Sequence, residues 1–209
     1  MGCRALLSGM VLGWIIVAAT VSGAATPAEP PVPRLTGDTP PLWPNGMVPQ
    51  RVDVAIGVMS RCPDALFKEN AFSRTLDQVN SKMSLSLSYI ATPNADEPSG
   101  ASCKHGPEEC AGNIHQLCVI DALDPSKAGK RYDIGPSEAQ RLWWEFVQCQ
   151  NFVGGTKRIG DEGLAKQCTE ALGKFPKWKE DGIKECIDDE RGRRLLRESI
   201  EETKERKIV

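Results

Sequence analysis

The chain has 209 residues, a formal net charge of −2 and a sequence pI of about 5.8. Recognition of nucleic acid needs a basic surface, so this charge balance argues against a nucleic-acid partner. Eight cysteines are many for a chain of this length, and their pairing decides much of what the sequence can tell.

The first 25 residues are typical of a secretory signal peptide. Arg4 precedes an apolar run that begins at Ala5, and the small residues from Ser22 to Ala25 suit signal cleavage. An uncleaved anchor is the alternative, because the 21 residues from 5 to 25 are long enough to span a bilayer. Only that alternative implies contact with a membrane. In both cases the chain enters the secretory pathway, where cysteines pair, and reaches the outside of the cell or an endolysosomal lumen.

Residues 26–50 hold eight of the fifteen prolines, which predicts an extended linker before a single domain over residues 51–209. At the start of that domain, alternating apolar residues predict a strand over 52–59. Pro63 then begins a helix that includes residues 65–79. A second alternating run, with serines on one polar face, predicts a strand over 83–91. A strand, a helix and a strand of these lengths predict a crossover unit with parallel strands.

The pattern changes after Thr92. Residues 93–102 are predicted to form a loop, and helical periodicity follows. The last helix mixes seven basic with five acidic residues between 190 and 207, which favours a solvated face with intrahelical ion pairs over a binding patch. The predicted helices cover 107–123, a segment beginning at Pro136, 163–172, 183–187 and 191–206.

Cys62 lies between the first strand and the first helix. The N-terminus of a helix and the adjacent Arg61 both favour a thiolate, and Asp64 opposes this only in part. Seven cysteines remain once the signal peptide and Cys3 are removed, so six can form three disulfides and one is left free. Cys62 fits the free position and is the predicted reactive thiol. A buried structural cysteine is the alternative.

Both histidines and three cysteines fall within residues 103–118. Their order, C-x-H-x4-C-x4-H-x2-C, does not match the usual spacing of zinc ligands. We therefore expect disulfides here, with no metal and no other cofactor. The predicted structural disulfides use Cys103, Cys110, Cys118, Cys149, Cys168 and Cys186.

The pairing of these cysteines is only partly fixed by the sequence. Cys110 and Cys118 cannot bridge each other along one helix, since eight residues separate their Cα atoms by about 12 Å and a disulfide needs less than about 7 Å. Cys103 is a possible partner for either of them. We also expect a Cys168–Cys186 bridge between the later helices.

The sequence resembles the gamma-interferon-inducible lysosomal thiol reductase family from Val52 to about Arg206. The family signature, Cys-x-His-Gly-x-x-x-Cys-x-x-Asn-x-x-x-x-Cys, is matched at six positions, namely Cys103, His105, Gly106, Cys110, Asn113 and Cys118. The resemblance implies an α/β, thioredoxin-like βαβ core with a disulfide-bonded helical insertion. It also implies reduction of protein disulfides in an acidic compartment.

The sequence departs from the family pattern in three ways. The Cys-x-x-Cys motif is reduced to Cys62-Pro-Asp-Ala65, which lacks the resolving cysteine. The chain ends at Val209, so the last strands of the fold are expected to be missing. The domain is then expected to be a truncated member that is only marginally stable or that recruits a partner to cover its open sheet edge. No Asn-x-Ser/Thr site is present for glycan-based lysosomal sorting.

These residues predict a thiol–disulfide oxidoreductase that attacks protein disulfides through Cys62, supported by Arg61, Pro63 and His105. Because Ala65 cannot release the product, the predicted mechanism is monothiol and needs a small-molecule thiol reductant. His105 has either a proton-transfer or an orienting role, or it only shapes the turn before the Pro107 helix. The alternative function is a non-catalytic secreted binding protein that retains the family scaffold.

Overall fold

Two parallel strands and the helix between them begin the part of the chain that this computed structural model describes, residues 50–208. They are β1 (Val52–Val58), α1 (Pro63–Val79) and β2 (Met83–Tyr89). The register pairs the first residues of the two strands with each other and likewise the last ones. The predicted parallel pairing is confirmed, and each strand ends one or two residues earlier than predicted. The signal peptide predicted over 1–25 and all but the last residue of the linker predicted over 26–50 lie outside the described residues.

The rest of the described chain is mainly helical, and the whole is a mixed α/β architecture with two small sheets. No helix within residues 50–208 is long and apolar enough to cross a membrane. The remaining elements are a 3₁₀ turn (Asn80–Lys82), β3 (Thr92–Pro93), β4 (Ala101–Ser102), α2 (Pro107–Ala122), α3 (Pro125–Tyr132), α4 (Pro136–Cys149), a π-helical segment (Gln150–Gly154), α5 (Gly155–Arg158), α6 (Glu162–Ala171), α7 (Ile183–Asp188) and α8 (Glu190–Glu205).

Strand β2 lies in the centre of the core, and α8 packs against it. Leu196 and Ile200 of α8 are fully buried. The hydroxyl of Ser199 accepts the N–H of Tyr89 at 2.8 Å, and the hydroxyl of Thr203 donates to the carbonyl of the same tyrosine at 3.1 Å. These two bonds satisfy the backbone N–H and carbonyl of β2 at Tyr89, because α8 carries small hydroxyl side chains where it packs beside the C-terminal end of the strand.

The outer face of α8 is charged, as the sequence predicts. Its ion pairs run along the helix, for example Arg193–Glu190 at 2.7 Å and Arg206–Glu202 at 2.8 Å. Such exposed pairs contribute little to stability individually. The buried face of α8 packs this helix against β2 and α2.

Within residues 50–208, three disulfides are formed. They join Cys103 to Cys110, Cys118 to Cys186 and Cys149 to Cys168. The expected Cys168–Cys186 bridge is wrong, because α7 packs on α2 and brings Cys186 to Cys118, whereas the end of α4 brings Cys149 to α6. The exclusion of a Cys110–Cys118 bridge is confirmed.

Several short elements were not predicted. Helix α3 has few apolar residues and is fixed by contacts at its end, where Tyr132 stacks on Phe175 with ring centroids 4.5 Å apart and hydrogen-bonds Asp181. The two-residue strands β3 and β4 pair antiparallel inside the segment predicted to be a loop. The π-helical segment interrupts the helical run after α4, and it lies beside the candidate site described next.

Candidate active site around Cys62

Cys62 is the N-cap residue of α1, directly after the turn that ends β1. Its N–H donates to the carbonyl of Met59 at 2.9 Å, and its own carbonyl accepts the N–H of Leu66 at 3.1 Å. Pro63 occupies the first helical turn, where a missing N–H costs nothing. The Cys62 side chain caps no backbone N–H and is half-buried. It is the free cysteine among residues 50–208, and it faces the positive end of a 17-residue helix.

Arg61 lies next to this thiol, but its guanidinium is held by other groups. It donates to the carbonyl of Thr156 at 2.5 Å, to the carbonyl of Lys157 at 3.4 Å and to the carboxylate of Glu108 at 3.1 Å. Arg61 therefore ties the turn before Cys62 to α5 and to the first turn of α2. Its support of the thiolate through charge stays a prediction.

Glu109 is a residue whose importance the sequence analysis missed. Glutamates are almost never fully buried, yet Glu109, in the first turn of α2, is fully buried. Its carboxylate accepts the ring Nδ1 of His105 at 2.5 Å and the backbone N–H groups of His105 and Arg61 at 3.2 Å each. A histidine and a glutamate four residues apart at a helix start were the available signal. His105 thus orients a buried carboxylate that holds the backbone before Cys62.

Asn113 holds the same turn one residue earlier. Its Oδ1 accepts the N–H of Ser60 at 3.2 Å, and its Nδ2 lies 3.6 Å from the sulfur of Cys103. The Ser60 hydroxyl donates to the carbonyl of Glu109 at 3.2 Å. Gly112 permits this close approach, since a Cβ there would lie 2.8 Å from the Ser60 hydroxyl.

The signature residues are therefore gathered on the turn that carries Cys62, although they lie more than forty residues further along the chain. His105 and Asn113 contact this network directly, and Gly106 precedes α2 with a positive φ of 93°. Cys103 and Cys110 close a disulfide beside it, whereas Cys118 ties α2 to α7. Two backbone N–H groups of the turn are satisfied by buried side chains, which fixes the position of the cysteine that follows.

Ala65 occupies the position three residues after Cys62, in the first turn of α1, and is half-buried. The other six cysteines of the described chain are all in disulfides. No second free thiol is therefore available within residues 50–208. The three cysteines of the 103–118 cluster cannot serve as thiolate ligands, and no group of three or more metal-ligating side chains occurs in the same described range.

A buried carboxylic acid, Glu69, lies two helical turns after Cys62 on α1. Burial raises its pKa to about 7, and the amide of Asn151, which donates to it at 2.6 Å, only partly opposes this shift. Glu69 also contributes, after burial itself, to raising the pKa of the buried Tyr89. The available sequence signal for the burial of Glu69 is that this residue shares a helical face with Phe72 and Leu76.

His115 is the second histidine of the cluster, and it lies away from the turn, in the middle of α2. It is 3% exposed. Burial lowers its pKa to about 4, and the nearby Asp161 opposes the shift. Its Nδ1 has no hydrogen-bond partner among the described residues.

A free thiol at a helix N-terminus, on a turn fixed by buried side chains, defines a candidate site for thiol–disulfide exchange. The family model for gamma interferon inducible lysosomal thiol reductase matches residues 53–172, more than half of the chain. The chain belongs to this family, and the family's name describes a lysosomal thiol reductase. Neither a curated protein nor a solved structure matches the chain significantly.

Proposed function

We propose that this protein is a thiol–disulfide oxidoreductase that reduces protein disulfides through the thiolate of Cys62. The observation that carries the proposal is the position of Cys62 as a free, half-buried thiol at the N-terminus of α1. The attacking species in thiol–disulfide exchange is a thiolate, and reactive cysteines are often found at helix N-termini. The thioredoxin-like core implied by the family is part of this proposal, and it is supported by the parallel β1–α1–β2 unit.

The proposed reaction has three exchange steps and uses no resolving cysteine. The Cys62 thiolate attacks a substrate disulfide, its S–S bond breaks, and one substrate sulfur leaves as a thiolate. An external small thiolate then attacks the mixed disulfide, which releases the second substrate thiolate and leaves the small thiol bound to Cys62. A second small thiolate restores Cys62. Two small thiols are oxidised to one disulfide, and one substrate disulfide is reduced to two thiols.

The remaining parts of the proposal concern supporting residues and location. Pro63 starts the helix that presents the thiol, and the contacts of Arg61 and His105 fix the turn before it. A signal peptide over residues 1–25 would deliver the protein to the secretory pathway, to be secreted or to reach an endolysosomal lumen, and the family description contains the word lysosomal. Because Ala65 supplies no second thiol, one competing function is a non-catalytic binding protein with the same scaffold.

Trapping of the mixed disulfide tests this function. The purified protein is alkylated without reduction and mapped by mass spectrometry, and we expect Cys62 to be the labelled residue within 50–208. Incubation with a peptide carrying an activated disulfide should then give a covalent adduct at Cys62. The Cys62→Ser variant is the control, and it should form no adduct within this range. Labelling of Cys103 or Cys168, or a folded parent without an adduct, would contradict the proposal.

Restoring the second cysteine should increase turnover. In Ala65→Cys the new thiol lies three residues after Cys62, on the adjacent face of the first turn, where it can attack the mixed disulfide. Because a tethered thiol has an effective concentration on the order of 1 mM or more, release should be at least about tenfold faster than with roughly 0.1 mM external thiol.

Ala71→Cys is the matched control for this gain. It places an added cysteine on the exposed part of the same helix, about 13 Å from Cys62, and should leave the turnover unchanged. The measurement is the rate of reduction of a protein disulfide at low external thiol. Equal rates for Ala65→Cys and the parent, in a variant shown to be folded, would instead favour the non-catalytic function.

A further inference from the structure

Two adjacent apolar side chains are exposed on the π-helical segment. Phe152 is 69% exposed and Val153 is 47% exposed, and they are among the most exposed large hydrophobic residues of the described chain. A π-helical turn is rare and is frequently found at functional sites. Exposure of single apolar residues is normal, so the position of this pair relative to Cys62 decides whether it has a role.

Both ends of residues 151–156 are tied to the neighbourhood of Cys62. At one end, Asn151 donates to the buried Glu69, two turns into α1, at 2.6 Å. At the other end, the carbonyl of Thr156 accepts the guanidinium of Arg61 at 2.5 Å. Seven residues of helix, about 10 Å, separate Cys62 from Glu69. The segment therefore runs alongside the first two turns of α1 and ends beside the residue that precedes the thiol.

The two anchoring contacts face inward, whereas the apolar side chains between them face solvent. Asn151 and Thr156 are half-buried, and Phe152 and Val153 are exposed. A polypeptide that is bound at Cys62 and extends along residues 151–156 would bury this pair when the mixed disulfide forms. Burial of apolar surface would then favour substrates with apolar residues next to the cysteine.

We propose that Phe152 and Val153 form a substrate subsite that binds the polypeptide beside the disulfide attacked by Cys62 and selects apolar flanking residues. This inference rests on the proposed function. It assigns the selectivity of the site to a segment outside both the Cys62 turn and the signature.

The experiment uses the purified full chain and three activated disulfides. Two are peptides with one cysteine bound to thionitrobenzoate, identical except that leucines or serines flank the cysteine. The third is the symmetrical thionitrobenzoate disulfide, which has no peptide. The rate of thionitrobenzoate release is measured, and the rate of the Cys62→Ser variant is subtracted in each case.

We expect the parent to react about tenfold faster with the leucine peptide than with the serine peptide, which corresponds to burial of part of two side chains. In Phe152→Ser/Val153→Ser this ratio should fall to near one, while the rate with the small disulfide stays unchanged. Phe152→Leu should retain the preference. Phe67→Ser is the matched control, because Phe67 is 68% exposed and lies on the opposite face of α1 from Glu69.

Each outcome decides the inference. Equal rates with the two peptides in the parent overturn the inference and leave the proposed function standing. A preference for the leucine peptide that survives in Phe152→Ser/Val153→Ser has the same consequence. Loss of the preference in Phe67→Ser to the same extent also overturns it. A parent whose Cys62 does not react even with the small disulfide overturns the proposed function, and the inference with it.

Discussion

Removal of the Cys118–Cys186 disulfide should lower the free energy of unfolding by about 4 kcal/mol, the largest loss among the three disulfides. The reason is the length of chain that each bond closes. The two residues of this pair are 68 apart in sequence, against 19 for Cys149–Cys168 and 7 for Cys103–Cys110. Loop-closure entropy then predicts losses of roughly 3 kcal/mol for the intermediate loop and roughly 2.5 kcal/mol for the short one.

The test is urea unfolding of three double-alanine variants, one for each disulfide. Five of the six cysteines lie in helices, where alanine has the higher helix propensity, so the substitutions themselves do not weaken these helices. Because a domain of this size has a total stability of about 5–15 kcal/mol, the Cys118→Ala/Cys186→Ala variant should be close to unfolding. A larger loss for Cys103→Ala/Cys110→Ala than for the longest loop would contradict the entropic ranking.

Local signals in the sequence predicted the elements of the fold well. Prolines at 63, 107 and 136 mark the first turns of α1, α2 and α4, where the structure has them. Alternation of apolar and polar residues located both parallel strands. These signals are local, because they depend on the geometry of a single helix or strand.

Which helix contacts which was not predictable in the same way. The Cys168–Cys186 guess failed because pairing depends on the packing of α2, α6 and α7, and the spacing of cysteines does not report this packing. The burial of Glu109 and Glu69 was missed for a related reason. Acidic residues are rarely fully buried, and only the tertiary contacts show that His105 and Asn151 satisfy them. The signature includes His105 and Asn113, but only the structure shows that they act on the Cys62 turn.

Two buried groups, Glu69 and His115, should give opposite contributions to the pH dependence of stability. The folded-state pKa of Glu69 is raised to about 7 from 4.5, so between these values the folded protein retains a proton that the unfolded chain loses. Its contribution is present at acidic pH and decreases as the pH rises through this window, by on the order of 3 kcal/mol in total.

For His115 the sign is reversed. Its folded-state pKa is lowered to about 4 from 6.5, so between these values the unfolded chain binds a proton that the folded protein does not. Acidification through this window therefore lowers stability by a similar amount, on the order of 3 kcal/mol. The two windows overlap between about pH 4.5 and 6.5, and there the two contributions oppose each other.

Of these two contributions to the pH dependence of stability, we expect Glu69→Gln to leave that of His115 and His115→Leu to leave that of Glu69. The stability of Glu69→Gln should rise from about pH 4.5 to 6.5, and that of His115→Leu should fall over the same range, each by on the order of 3 kcal/mol. Urea unfolding at closely spaced pH values measures both slopes. Asp77→Asn, an exposed acid on the same helix as Glu69, controls for the loss of one carboxyl group. If both variants keep the slope of the parent, these two groups do not titrate differently in the folded and unfolded states. If both slopes change in the same direction, the assignment of opposite signs is wrong.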